Sequence, residues 1–222
     1  GDLADIWTLD CRQYRSHHAC TAAQVSQGRM VANCAELADP SRSMLGAEQE
    51  RWLAQGLATS GARWKLLAQS TQVSSTGIEM PNGRQVWTDA WDGYPIARQR
   101  LLQGIADAKV SNVVTLGGDV HRFVAPDLRV LPNDAASPIV ASEFVGGSIT
   151  SRGASKASMA KMQLDNADIA HARGDERGYA FLDIDRKAAR CEFRATPHPA
   201  LKDAALGSLG THWVGGGRAG GG

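Results

Sequence analysis

Apolar runs that suit buried strands recur along the 222-residue chain. The run from Ile6 to Leu9 turns polar at Asp10, which indicates a short buried strand close to the first residue. Three later runs, "RWKLLAQST", "NVVTLGG" and "PIVASEFVGG", have the same character, and the last two end in glycine pairs. The run from Val113 to Leu116 is typical of a parallel strand that is buried on both faces.

Two segments between these runs carry apolar residues at helical spacing. The first, residues 41–61, opens with Ser41 as a candidate N-cap and has Gly61 beyond its end. The second, residues 92–110, has Pro95 in its first turn. The expected apolar faces are Leu45, Trp52, Leu53 and Leu57 in the first segment, and Ile96, Leu101, Leu102, Ile105 and Ala108 in the second. Alternating strands and helices predict an α/β (mixed α+β) domain.

The remaining stretches set the expected domain limits. Residues 16–40 show no sustained period and suggest a long loop, whereas residues 178–196 alternate around an Asp-Arg-Lys turn and predict an antiparallel hairpin. The final segment, 197–222, is glycine-rich and patternless, so we expect a loosely held tail. The sequence therefore predicts one domain over residues 1–196, followed by this tail.

Composition excludes some partners. With 24 basic and 23 acidic residues and a net charge of +1, the chain has no electrostatic footprint for nucleic acid or an anionic membrane surface. No apolar run approaches the length of a transmembrane helix, so we expect no transmembrane segment. The four cysteines lack CxxC spacing; Cys20 and Cys34 could pair in an oxidising compartment or remain inert thiols.

The stretch "LGGDVHRF" offers the clearest candidate for chemistry. Asp119 and His121 follow a buried strand, at the place where α/β sheets bind their ligands. A carboxylate and an imidazole two residues apart can supply oxygen and nitrogen ligands to iron, zinc or manganese. Alternatively, Asp119 caps a turn and His121 is a surface histidine, and the tetrapeptide alone does not choose between the two.

Three further polar groups lie near element ends. Asp92 precedes the second helix and is either a site carboxylate or an N-cap. Arg12 follows the first strand and could clamp a phosphate or form a surface ion pair. Glu143, Ser148 and Ser151 surround the last glycine pair, where hydroxyl groups often only satisfy a loop.

Taken together and in order, these blocks resemble a known family. "LDCRQYRS", "RSMLGAEQERWL", "ARWKLLAQST", "WDGYPIARQRLL", "LGGDVHRF" and "SEFVGGSITS" are similar to the second half of the PhoD-like alkaline phosphatases and phosphodiesterases, over residues 1–196. Later, Arg177, Gly178 and Tyr179 match the family's RGY, whereas Ala167 and Asp168 replace its usual Pro-His.

The resemblance implies part of a four-layer α/β/β/α metallophosphatase sandwich that holds iron with a further divalent metal, calcium foremost, and zinc, manganese or magnesium as alternatives. It assigns Asp119 and His121 to the metal cluster, with Asp92 as a further metal or site carboxylate and Arg12 as a phosphate-contacting residue. Such a cluster makes water nucleophilic at neutral pH, while the metals and arginine neutralise the phosphoryl oxygens during direct in-line attack. The implied substrates are phosphate monoesters and diesters.

The family's first half, with its other metal ligands, has no counterpart in this sequence. We therefore expect an N-terminal half as a partner, as a second chain or in sequence outside these residues, and little activity from the chain alone. A half-sandwich should also leave one sheet face exposed. The resemblance implies a periplasmic, cell-wall or secreted location. The alternatives are a non-catalytic binding module on the same scaffold and a serine hydrolase, which the absence of a GxSxG elbow disfavours.

Overall fold

A computed structural model describes residues 1–22, 25, 27–199 and 202–217. Within these residues, three α-helices and eleven strands form a mixed α/β fold, as the sequence predicts. The strands are β1 Ala4–Thr8, β2 Met30–Val31, β3 Trp64–Ala68, β4 Val86–Trp87, β5 Val113–Gly117, β6 Phe123–Arg129, β7 Ile139–Val145, β8 Ile169–Arg173, β9 Glu176–Ile184, β10 Ala188–Pro197 and β11 Gly207–Gly215. The helices are α1 Ala47–Thr59, α2 Pro95–Asp107 and α3 Lys156–Asp165.

The main sheet has six strands in the order β1-β3-β5-β7-β6-β8. The first four are parallel, and β6 runs antiparallel to both β7 and β8. The prediction that the strand at Val113 is a buried parallel strand is confirmed, because β5 lies between β3 and β7. The carboxyl ends of β1, β3, β5 and β7 consequently lie at one edge of the sheet.

Both predicted helices form, with shorter limits. The segment 41–61 becomes helical only at Ala47, and Gly46 rather than Ser41 is the N-cap. Ser43 closes the turn before the helix, because its hydroxyl accepts hydrogen bonds from the Leu45 and Gly46 amides. The second helix begins at Pro95, as the first-turn preference of proline predicts, after a 3-10 turn at Trp91–Gly93.

The predicted hairpin at 178–196 is confirmed as β9 and β10, and it gains a third strand. β11 pairs along β10, so the expectation of a loosely held tail from residue 197 is wrong for Gly207–Gly215. Strand pairing uses backbone groups, which glycine composition does not reveal. Residues 200, 201 and 218–222 of that tail lie outside the described residues.

The layers are helices, six-stranded sheet and three-stranded sheet. On one face of the six-stranded sheet, α1 and α2 pack over a core that includes Leu53, Leu102 and Ile105. α3 covers the β6 and β8 end of this face, through Met159 and Met162. On the opposite face, the main sheet packs on the three-stranded sheet through Trp64, Leu66, Val114, Phe123, Phe144, Cys191, Phe193 and Val214. The described residues thus supply three of the four layers that the resemblance implies.

One sheet face remains open, and it belongs to the smaller sheet. Tyr179, Phe181 and Trp213 are 41%, 44% and 50% exposed. Arg194 stacks over the Phe181 ring, and Arg190 stacks over the Trp213 ring. Both faces of the six-stranded sheet are covered, so the exposed face lies on the three-stranded sheet.

The long loop after β1 is held by strand pairing and by a disulfide. Met30 pairs with Trp87 in the two-stranded sheet of β2 and β4. Cys20 and Cys34 form a disulfide, which resolves the alternatives that the sequence left open for these thiols. Residues 23, 24 and 26 of this loop lie outside the described residues. Across the described part of the chain, no helix is long and apolar enough to span a membrane.

Candidate functional site

The segment after β5 presents Asp119 and His121 at the carboxyl edge of the main sheet. Both residues adopt left-handed backbone conformations, with φ of 67° and 55°. Such values are uncommon for residues other than glycine and are concentrated at functional sites. Both residues are exposed to solvent, so their side chains are open to a ligand.

The His121 imidazole is oriented by a backbone carbonyl. Its Nδ1 lies 3.2 Å from the Arg152 carbonyl oxygen. A carbonyl oxygen only accepts hydrogen bonds, so Nδ1 carries the proton, and Nε2 of the neutral ring keeps a free lone pair. Metal-ligating histidines commonly have this arrangement, in which the nitrogen opposite the ligating one donates to a backbone carbonyl.

Arg12 joins the end of β1 to the end of β5. Its Nη2 donates to Asp119 Oδ2 at 2.8 Å, and its Nη1 donates to Asp89 Oδ1 at 2.7 Å. Among the described residues, Asp119 Oδ1 receives no hydrogen bond. The structure therefore brings together two of the residues that the sequence singled out, Arg12 and Asp119, and it leaves Asp119 Oδ1 available to a ligand.

Asp89 is the hub of the cationic side of the site. Besides Arg12, it accepts from Arg15 Nη1 at 2.7 Å and lies 3.0 Å from His18 Nε2. Burial alone raises the pKa of Asp89, but Arg15 and Arg12 more than offset this, so its pKa lies below the ordinary value. In turn, burial lowers the pKa of Arg12, but Asp89 and Asp119 outweigh it and raise that pKa. Arg12 is thus held in its charged form with a fixed orientation.

Asp92 lies in a different environment, although the sequence grouped it with Asp119 and His121. It is 4% exposed, and its Oδ1 accepts from Arg98 Nη1 at 2.7 Å. Its Oδ2 accepts from the Thr76 amide at 2.7 Å and the Thr76 hydroxyl at 3.0 Å. Burial raises the pKa of Asp92, but Arg98 and Thr76 reverse the effect and bring that pKa below the ordinary value. Both oxygens therefore hold the chain together around the start of α2.

The side chains of Glu143 and Ser148 form hydrogen bonds with backbone groups of loops, and Ser151 supplies one of these groups. The Glu143 carboxylate accepts from the Val73 and Ser74 amides at 2.7 and 2.9 Å, which anchors the segment after β3. Burial raises the pKa of Glu143. The Ser148 hydroxyl donates to the Ser151 carbonyl at 2.6 Å.

Arg122, directly after His121, was missed by the sequence reasoning. Its Nε and Nη2 donate to Gln72 Oε1 at 3.2 and 2.9 Å. Burial lowers the pKa of Arg122, with a smaller opposing effect from Asp92 and Glu143. His18 was also missed, since it lies in a stretch without periodicity. The signal that could have revealed Arg122 is its place in the block that contains Asp119 and His121.

Few of the described side chains are grouped so that they could bind a metal ion. Within the described ranges, no group of three or more His, Cys, Asp or Glu side chains could hold a metal ion. Asp119 and His121 can offer two ligands, whereas a zinc site needs about four and a calcium site about six to eight. Both carboxylate oxygens of Asp92 are already bound, one by Arg98 and the other by Thr76.

Comparison with known proteins identifies the family of the chain. The sequence model of the PhoD-like phosphatases matches residues 1–193. The chain belongs to the PhoD-like phosphatase family. Alkaline phosphatase D of Bacillus subtilis (strain 168) is 33% identical over 208 residues, which is 93% of this chain and 35% of that protein.

A solved structure of PhoD superposes on this chain with a TM-score of 0.88 at 32% sequence identity. The matched region covers 97% of this chain and 41% of the solved chain. The chain therefore spans about a third to two fifths of the length of these PhoD-like relatives. The resemblance recognised in the sequence blocks is confirmed, and so is the α/β fold.

Proposed function

We propose that this PhoD-like chain is part of a metal-dependent phosphatase that hydrolyses phosphate monoesters and diesters. Asp119 and His121 are its contribution to the metal cluster, and Arg12 contacts the phosphoryl oxygens. The observation that carries the proposal is the contact between Arg12 and Asp119, 107 residues apart in sequence. His121 follows Asp119 by two residues, and the Arg152 carbonyl orients its ring.

The donor set suits the metals that the resemblance implies. Asp119 Oδ1 offers a hard oxygen ligand, which calcium and iron accept, and His121 Nε2 offers a nitrogen ligand, which iron and zinc accept. When bound, such metals supply Lewis-acid activation of water and of the phosphoryl group. We propose iron with a second divalent ion, calcium foremost, and we leave Asp92 out of the ligand set because both of its oxygens serve Arg98 and Thr76.

Arg12 supplies the positive charge that a phosphoryl group requires. Its two Nη atoms point to two different carboxylates, so the planar guanidinium is fixed before a substrate arrives. A fixed guanidinium stabilises developing negative charge without the cost of reorganisation. Asp89, held by Arg15 and His18, sets the orientation of Arg12, and this makes Asp89 a positioning residue.

We propose that the remaining metal ligands come from an N-terminal segment like that of the longer relatives. The chain covers 35% of the Bacillus subtilis relative, and the described residues supply two ligands. From the family resemblance, we also propose a periplasmic, cell-wall or secreted location. The Cys20–Cys34 disulfide supports it, because disulfides persist in oxidising compartments.

Metal content and hydrolysis of p-nitrophenyl phosphate by the full-length gene product test this proposal. Asp119→Asn and His121→Gln should each lower the bound iron and reduce kcat by at least about 100-fold, because each removes a ligand. Arg12→Gln should reduce kcat/KM and leave the metal content unchanged. As a control, Arg51→Gln alters an exposed arginine of α1 and should change neither quantity. Unchanged metal content in both ligand variants would contradict the assignment.

A second candidate function is a non-catalytic binding module on the same scaffold. The two-ligand inventory is the observation that favours it. The same measurement separates the two candidates, because a binding module has no turnover that depends on Asp119, whatever its metal content.

A further inference from the structure

A pocket with a cationic wall lies beside the proposed site. Its volume is about 360 Å³, and we call it the methionine pocket after Met30, Met159 and Met162, which line it together with Trp87, Thr76 and Arg122. Met159 and Met162 project from α3 and are 4% and 2% exposed, so they form a buried floor. Thioether and indole groups of this kind adapt to flat or flexible apolar ligands.

The rim of the methionine pocket is apolar and open to solvent. Met30 and Trp87 are cross-strand partners in the two-stranded sheet, and they are 46% and 44% exposed. Exposed large apolar side chains next to a concave surface commonly mark a binding site.

Arg122 gives the pocket its charge. Its hydrogen bonds go to Gln72, a neutral amide, and among the described residues no carboxylate lies within 4.0 Å of its guanidinium. The two acidic side chains that act on it electrostatically are already engaged: Asp92 with Arg98 and Thr76, and Glu143 with two backbone amides. A guanidinium in this position favours an anion that can form charge-assisted hydrogen bonds.

A second cavity gives a useful contrast. A cleft of about 410 Å³ between α1 and α2 is also apolar, and Arg51 and Arg100 lie at its edge. Arg100 is bound to Glu50, and Arg51 faces Glu48. The cations of that cleft are thus already paired, so it offers an anion less than Arg122 does.

The segment that carries the proposed site also lines the methionine pocket, because Val120 and Arg122 are the sequence neighbours of His121. We propose that it binds the apolar organic group of the substrate, with Arg122 contacting the ester's negative charge. The substrate class is then a phosphate ester that carries an aromatic or alkyl group. This inference rests on the proposed function for the identity of the anion.

The five methionines of the chain supply a direct test. In a sample labelled with ¹³C at the methionine methyl groups, Met30, Met159 and Met162 report on the pocket, whereas Met44, in the core beneath α1 and α2, and Met80 do not line it. Single Met→Leu variants assign the signals. The probes are 1-naphthyl phosphate, 1-naphthol and inorganic phosphate, added in the presence of a chelator so that no turnover is needed.

We expect 1-naphthyl phosphate to shift the signals of Met30, Met159 and Met162 and to leave those of Met44 and Met80 in place. Arg122→Gln should weaken this binding about tenfold, because a charge-assisted contact is lost, and should leave 1-naphthol binding unchanged. Arg51→Gln, which alters an exposed arginine of α1 that does not line the pocket, is the matched control and should bind like the parent chain. An unchanged Met44 signal shows that each variant is folded.

Three results would overturn the inference: no shift at the pocket methionines, equal shifts at all five, or full-strength binding of 1-naphthyl phosphate in Arg122→Gln. Failure of the proposed function looks different. Hydrolysis insensitive to Asp119→Asn would contradict that function and leave the methionine shifts in place. Hydrolysis that depends on Asp119 in a protein whose methionine signals do not move would remove only the pocket.

Discussion

Single side chains at this carboxyl edge divide into those with free polar atoms and those whose polar atoms are bound to other parts of the chain. Asp119 and His121 keep free ligand atoms in left-handed backbone positions. Asp92 and Glu143 are also carboxylates within the recognised blocks, but they are buried and bonded to Arg98, Thr76 and backbone amides. Burial and existing partners, rather than residue type, separate the two groups.

The Asp92–Arg98 pair should be a major determinant of stability. Asp92→Ala leaves the buried Arg98 without its carboxylate, and breaking a buried pair in this way costs about 3–5 kcal/mol. Urea denaturation followed by circular dichroism measures the free energy of unfolding. Glu48→Gln is the control, since its carboxylate is 95% exposed and faces Arg51 at 3.6 Å, and it should leave the urea midpoint unchanged. A stable Asp92→Ala variant that loses metal would instead restore Asp92 to the ligand set.

His171 should make the protein sensitive to mild acid. Burial, together with nearby His212 and Arg173, lowers the pKa of His171 to about 4, and burial lowers that of His212. An unfolded histidine has a pKa of about 6.5, so the unfolded chain binds protons more readily in this range. The contribution to stability is complete above about pH 6.5 and decreases as the pH falls toward 4.

Urea midpoints measured between pH 5 and 7.5 test the direction of this pH dependence. His171→Phe, which keeps a ring against Phe193, should flatten the pH dependence relative to the parent chain. His17→Gln changes a half-exposed histidine and should preserve the dependence. Equal slopes for the parent and His171→Phe would contradict the explanation.

Among the secondary-structure elements, the carboxyl end of β5 carries two glycines, Gly117 and Gly118, with different roles. A Cβ on Gly117 would collide with the Thr71 carbonyl oxygen, whereas a Cβ on Gly118 would meet no heavy atom within 4 Å. The segment after β3 therefore crosses the end of β5 where only glycine fits. That crossing also positions Gln72, the partner of Arg122.

The two glycines provide a matched pair of variants. Gly117→Ala should lower the free energy of unfolding by about 1–3 kcal/mol, because the crossing backbone must move. Gly118→Ala should change it little, since its backbone is outside the left-handed region and its surroundings are open. Thermal unfolding of both variants checks this expectation, and equal Tm values would show that the crossing tolerates a methyl group.

Element prediction succeeded where burial imposes a clear period. β1, β3, β5, β7 and the β9–β10 hairpin appear where apolar runs and alternation predict them, and Pro95 marks the start of α2. The start of α1 was predicted too early, because the Ser43 hydroxyl closes a turn that precedes the helix. β11 was missed, since its pairing relies on backbone hydrogen bonds within a glycine-rich sequence.

For the whole molecule, the ligand inventory leads to a prediction about activity. The 222-residue chain alone should hydrolyse p-nitrophenyl phosphate little or not at all, because its described residues contain no group of three or more side chains that could hold a metal ion. Steady-state kinetics on the purified chain, with added iron and calcium, provides the measurement. A substantial rate that disappears in Asp119→Ala would show that the chain completes a site by itself.

The sequence by itself determined the family, the α/β class and the candidates Arg12, Asp119 and His121, because these depend on local pattern and on blocks that stay in order. Only the tertiary structure showed which of these residues contact one another. It joined Arg12, Asp89 and Asp119 across the parallel strand ends, and it enclosed Asp92 with Arg98. Proximity of strand ends and burial are properties of the packed chain, so no spacing in the sequence encodes them directly.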